Sequence, residues 1–275
     1  MKPLFIPCDQ GALFCVYHPC VGKSLDQAIL YVPPFAEEMN KARCMAALQA
    51  RAFADRGYAV LMPDLFGTGD SVGDFGDATW EIWLQHIDSA IAWLKLQGAK
   101  TIALWGLRTG ALLAMDFASR GHGEIDSLLC WQPVLNGDTF VTQFLRLRVA
   151  AAMMDNDAPR EKTSDLKRKL QDGQGIEVAG YWLNPELIKP LMALRADQLS
   201  LPTLKKLAIF EVVANEDMQE SIANAQFLGK MQGKAMDASL AKVVGDAFWA
   251  TQEIAMAPDL IKLTCETVAN VGTRG

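Results

Sequence analysis

The chain has 275 residues, 51% of them hydrophobic and 21% charged, with a net charge of −6. That composition excludes a disordered chain, which lacks the apolar surface to offset its ordering entropy. The acidic balance argues against nucleic acid as the main partner, because phosphate contacts need a positive surface.

No run approaches the length of apolar sequence needed to span a bilayer. The opening MKPLFIPCDQ has neither an apolar leader core nor a small-residue cleavage site, so a cytoplasmic location is expected. Six cysteines, at 8, 15, 20, 44, 130 and 265, are scattered without a CxxC pair. In such a setting they read as free thiols, several of them buried. No metal-ligand spacing or cofactor fingerprint stands out, so neither a metal nor a cofactor is expected.

Short apolar runs alternate with longer helical patterns. Strands are expected at Leu4–Pro7, Leu13–Tyr17, Ala28–Val32, Ala59–Met62, Thr101–Trp105, Ser127–Trp131, Leu207–Val213 and Leu240–Val244. Helices are expected over 40–56, 79–97, 109–120, 218–231 and 257–269, the first and third closed by Gly57 and Gly121. This alternation predicts βαβ units and a mostly parallel sheet with helices on both faces. The first two strands precede any helix and flank Asp9-Gln10-Gly11, so they read as an antiparallel edge hairpin. Residues 137–200 break the rhythm: amphipathic stretches, a charged run and Gly173-Gln174-Gly175 predict a helical insertion with no clear strand. The core is then 1–136 plus 201–275.

Five segments bear on chemistry. Trp105-Gly106-Leu107-Arg108-Thr109-Gly110 follows a strand and opens a helix rich in small residues. Gly-x-Nuc-x-Gly in that setting is the nucleophile elbow of an α/β hydrolase, a sharp turn that lifts the middle side chain above the sheet. Here that side chain is Arg108, which stays protonated and is no nucleophile. It either holds an anionic ligand, with Thr109 beside it, or fills a defunct site in an ion pair. Val32-Pro33-Pro34-Phe35-Ala36-Glu37-Glu38 lies after the third strand, where such folds take one oxyanion-hole N–H; Phe35 or Ala36 would donate it. Glu37 and Glu38 are either partners for Arg108 or ordinary charges at a helix start.

Pro63-Asp64-Leu65-Phe66-Gly67-Thr68-Gly69-Asp70-Ser71 is a structural turn, since no apolar helix follows its glycines. Asp217, with Glu216 next, sits after a late strand, where the acid of a catalytic triad belongs in chain order. The histidine of that triad should follow the last strand, around Gly245-Asp246-Ala247-Phe248-Trp249, and there is none. His18, His86 and His122 all come earlier and read as structural or surface residues. Nucleophile and base are both missing, so the covalent Ser-His-Asp route is not available.

These segments together resemble a group of α/β-hydrolase-like proteins associated with the exosortase A (PEP-CTERM) system. The runs that carry the resemblance are YVPPFAEEMNKARCMAALQARAFADRGYAVLMPDLFGTGDSVGDFGDATWEIWL from Tyr31, WGLRTGALLA from Trp105, WQPVLNGDTFVTQFLRLR from Trp131, VAGYWL from Val178 and FWATQEI from Phe248. The resemblance implies a cytoplasmic protein working beside exopolysaccharide and protein-sorting functions, and no proven reaction.

The expected architecture is an α/β-hydrolase fold with an eight-stranded, mostly parallel sheet and a helical cap. Cap aromatics Phe140, Phe144, Tyr181 and Trp182 either wall a pocket or simply pack the insertion. Three functions stay open. One is a binder of a small anionic or acyl-bearing ligand, using Phe35, Ala36, Glu37, Glu38, Arg108, Thr109 and Phe248. Another is a hydrolase or acyltransferase with an unorthodox site built on Arg108 and Asp217 or Glu38. The last is a non-catalytic interaction scaffold. An open cavity at Arg108 favours the first two, and a site filled by Phe35, Phe248 and Trp249 favours the scaffold. A homodimer is compatible with all three.

Overall fold

A computed structural model describes residues 1–22, 25–121, 125–154, 160–233 and 236–269. Eight strands build the main sheet in the order β1-β2-β4-β3-β5-β6-β9-β10. They are β1 (Lys2–Cys8), β2 (Gly11–His18), β3 (Gln27–Val32), β4 (Ala59–Pro63), β5 (Thr101–Leu107), β6 (Ile125–Trp131), β9 (Lys206–Val213) and β10 (Asp237–Val244). The β1–β2 and β2–β4 pairings are antiparallel and the rest are parallel. Each expected strand is present, lengthened by a residue or a few at its ends.

The parallel strands are apolar at nearly every position because both faces are covered. Helices α1 (Glu37–Asp55) and α8 (Pro258–Ala269) cover one face, packing on Ile29, Tyr31, Trp105, Leu129, Trp131 and Phe210. Helices α2 (Trp80–Leu96), α3 (Thr109–Ser119) and α7 (Ile222–Gln232) cover the other, packing on Leu30, Val32, Leu104, Leu128 and Ile209. Alternate residues of one strand therefore enter different cores, as the two-residue period of a strand requires. Each such leucine or aromatic contributes about 1.5–3 kcal/mol on burial.

The segment between β6 and β9 holds α4 (Gly137–Met154), α5 (Thr163–Gln171), β7 (Ile176–Val178), β8 (Tyr181–Leu183) and α6 (Pro185–Ala193). The expectation of a strand-free insertion is corrected here, because β7 and β8 form an antiparallel hairpin. Its turn residues Ala179 and Gly180 have φ of 50° and 83°, the two positive values of a type I′ turn. Alanine at the first of these positions hides the usual Asn-Gly signature, and three-residue strands are too short to show alternation.

Helix α7 begins at Ile222 rather than 218. The Glu211 carboxylate, buried on β9, accepts from Ser221 N–H at 2.9 Å and from Asn224 Nδ2 at 3.0 Å, so a tertiary contact sets where the helix starts. Cys8, Cys15, Cys44, Cys130 and Cys265 are free thiols. Burial pushes the Cys15 and Cys130 thiols up.

Candidate functional site

The site is built on two turns that share one backbone shape. At the end of β5, Arg108 has φ 56° and ψ −118° and starts α3; after β3, Ala36 has φ 50° and ψ −125° and starts α1. Both are left-handed conformations that cost a non-glycine residue about 1–3 kcal/mol and persist only where the surroundings hold them.

Close packing explains the hold. A Cβ on Gly110 would run into the Val32 carbonyl oxygen, and one on Gly106 would run into the Ala111 backbone. Glycine at both places lets β5, α3 and the β3 turn come together. The Arg108 N–H donates to Trp131 O at 2.9 Å, and its carbonyl accepts from Val134 N–H at 3.1 Å. The elbow is thereby tied to the end of β6.

The Arg108 side chain is about one-fifth exposed, and so is that of Glu38. Arg108 Nε donates to Glu38 Oε1 at 3.2 Å, and Nη1 lies 3.5 Å from Gln132 O. The guanidinium carbon sits 5.5 Å from the Trp249 ring centroid, a cation–π distance. Glu38 Oε2 is buried with no hydrogen-bond partner among the described residues. Burial pushes the Glu38 carboxyl above the ordinary carboxylate range, and Arg108 opposes that shift. The pair is internal and charge-balanced, and half of its carboxylate remains unused.

Asp217 does not join it. The chain leaves β9 at Val213 and runs over the surface from 214 to 220, with Asp217 and Glu216 exposed. Lys242 Nζ holds that loop by donating to Glu216 O and Met218 O. Of the two carboxylates expected as alternative partners of Arg108, Glu38 and Asp217, only Glu38 reaches it among the described residues, and the Asp217 alternative is corrected. Glu37 points elsewhere and accepts from the Tyr181 hydroxyl at 3.3 Å. Thr109 is buried at the first turn of α3.

Phe35 and Phe248, both expected from the sequence among the ligand contacts, lie in the two different cores. Phe35 is 2% exposed and packs edge-on against Phe75, Trp83, Phe140 and Phe144. Phe248 is buried between Trp131 and Trp249. Of the insertion aromatics, Tyr181 packs on Phe75, while Trp182 is half exposed.

Neither His18 nor His86 is a hydrogen-bond partner of Arg108. His86 is buried in α2, and its Nδ1 accepts from Phe66 N–H at 3.1 Å. Burial lowers its pKa to about 4. His18 is buried at the end of β2, and His122 lies outside the described residues.

The turn after β4 is a knot of its own. Asp64 accepts from Asp70 N–H at 3.0 Å and pairs with Arg43 at 3.2 Å, while the Ser71 hydroxyl donates to Asp64 O. The sequence predicts the self-bonded turn but not Arg43, whose position on α1 carries no local signal.

This architecture is that of an α/β hydrolase. It superposes on Est1E from Butyrivibrio proteoclasticus with ferulic acid bound at a TM-score of 0.69, with 15% identity, covering 97% of this chain and 98% of that one. It also matches XC6422 from Xanthomonas campestris, described as an a/b serine hydrolase without lid, at a TM-score of 0.58, with 14% identity over 98% and 94% of the two chains. A 76-residue stretch is 34% identical to a thermostable monoacylglycerol lipase of Bacillus sp. (strain H-257), covering 28% of this chain and 30% of that lipase's length. The model of the X-Pro dipeptidyl-peptidase (S15) family matches residues 16–178, and the chain belongs to that family.

Proposed function

We propose that this chain is a non-hydrolytic member of its family whose former active site is packed shut and which serves as an interaction scaffold. The observation that supports this reading is the Arg108–Glu38 pair on the elbow, roofed by Trp249 and flanked by the filled Phe35 cage. Arginine at that position cannot attack a carbonyl. Neither His18 nor His86, both buried elsewhere in the fold, is placed to take a proton there. Asp217, the acid expected for an unorthodox hydrolase, is a surface residue.

A second reading draws on Glu38 Oε2. Its lack of a partner and the raised carboxyl pKa fit a site where a small anionic or acyl-bearing ligand displaces Glu38 from Arg108. The sequence resemblance supports a role beside the exosortase and exopolysaccharide machinery for either reading.

Three measurements test this. Purified protein should not label with a fluorophosphonate, and should turn over neither p-nitrophenyl acetate nor an X-Pro p-nitroanilide above a heat-killed control. Stoichiometric labelling of any serine would overturn the proposal. Arg108→Ser alone should stay inactive, because no base is supplied. Added phosphate or short carboxylates should leave the melting temperature unchanged if the site is a scaffold. They should raise it in the wild type, but not in Arg108→Met, if the site binds anions.

A further inference from the structure

The end of α4 carries several strongly exposed apolar side chains close together. Phe140, Val141 and Leu145 turn one side of the helix into the core. Further along, in line with Phe140 and on the flank beside it, Leu147, Ala150, Ala151 and Met154 recur at helical spacing and are exposed, with Met153 near them. Leu147 is 51%, Met153 78% and Met154 91% exposed. Isolated apolar side chains on a surface need no explanation, but a helical stripe of them does.

Charge gathers at the same place. An open groove of about 780 Å³ runs beside this helix end, lined by Val149, Ala152 and Met153 together with Arg146, Arg160 and Lys162. Glu161 also borders it, but that carboxylate is engaged by Arg148 and Lys169. Residues 146–169 carry seven Lys or Arg against four Asp or Glu in a chain whose net charge is −6. A cationic, apolar face on an otherwise acidic protein fixes the orientation in which an anionic surface is met.

We propose that this face docks the protein onto an anionic lipid bilayer. Arg146, Arg160 and Lys162 would meet headgroup phosphates, and Leu147, Met153 and Met154 would enter the acyl boundary, as in an interfacial helix. Exposed apolar side chains beside a cluster of cations match the mixed apolar and anionic character of such a bilayer surface. The described residues contain no helix long and apolar enough to cross a membrane, so the contact is peripheral. Arg108 and the packed elbow take no part in it.

Co-sedimentation of the full chain with vesicles tests this. The protein should pellet with phosphatidylcholine vesicles containing phosphatidylglycerol, stay in solution with phosphatidylcholine alone, and be released by high salt. Arg146→Glu with Lys162→Glu should weaken partitioning by about tenfold or more. Leu147→Glu with Met154→Glu should abolish it. All four positions lie at the surface, so circular dichroism and melting temperature should match the wild type. Failure of the wild type to pellet with anionic vesicles would overturn the proposal, and so would unchanged pelleting of the Leu147/Met154 variant. A thermal shift with dodecyl phosphate but no vesicle binding would replace the bilayer with a soluble amphiphile, and the proposal would fail.

Discussion

The turn after β3 and the turn after β5 adopt nearly the same strained backbone, touch each other through Gly110, and differ in the side chains that support them. At Ala36 the strain is held by apolar packing: Phe35 sits one residue before it in a cage of four aromatics. At Arg108 the glycine packing and the backbone bonds to the end of β6 are joined by charge, with Glu38 reaching across from α1. Packing needs the whole cage to be present, whereas an ion pair needs one partner and tolerates some solvent. The difference teaches that one strained backbone shape can be kept by different surroundings, as long as they over-determine it.

The comparison breaks most clearly at the packed turn. Phe35→Ala should cost about 3–5 kcal/mol, the usual range for a buried phenylalanine, read as a drop in the urea midpoint at constant m-value. A cost below that of Glu38→Ala would show that charge, not packing, holds this corner.

The cage has a pH-sensitive support. Trp83, a member of it, donates from Nε1 to Phe66 O, and His86 accepts from Phe66 N–H. His86 titrates at about 4 in the fold, below the ordinary value of 6.5. The unfolded chain therefore binds a proton first, and stability falls as the pH drops from about 6.5 to about 4, by about 3 kcal/mol in all. Denaturant titrations across that window should show the slope in the wild type and lose it in His86→Gln.

At the charged turn, Glu38→Ala strands the arginine and should cost about 2 kcal/mol, less than a fully buried pair because both side chains are partly solvated. Arg108→Met should cost less, since Glu38 can take up a proton and Arg108 cannot lose one. The reverse order in paired melts would mean that Gln132 O and Trp249, not Glu38, hold the guanidinium.

The smallest effect isolates the backbone. Ala36→Gly relieves the left-handed strain at the loss of one buried methyl group, so it should stabilise by less than about 1 kcal/mol. Arg108→Gly relieves similar strain yet loses the ion pair, and should destabilise. Like signs in the two variants would show that the turns are held the same way after all.

Much of this was legible in order. The core strands announce themselves because parallel strands covered on both faces must be apolar throughout. The elbow is visible because close approach leaves room only for glycine at 106 and 110. Hidden features were those where one residue's role depends on a distant one. Arg43 reaches Asp64, Glu211 caps α7, and Ala179 takes a conformation normally left to glycine or asparagine.

The sequence by itself determined the class of fold, the hairpin edge, the arginine at the elbow and the lack of a late histidine, since each follows from local pattern or chain order. Which acid meets Arg108 was decided only by the tertiary structure. Asp217 and Glu38 are equally placed by chain order, but the loop after β9 swings to solvent while the first turn of α1 stands over the elbow. The tertiary structure likewise sent Phe35 and Phe248 into different cores, because the side of the sheet on which a loop residue packs is set by where its neighbouring helix crosses, and no local spacing records that.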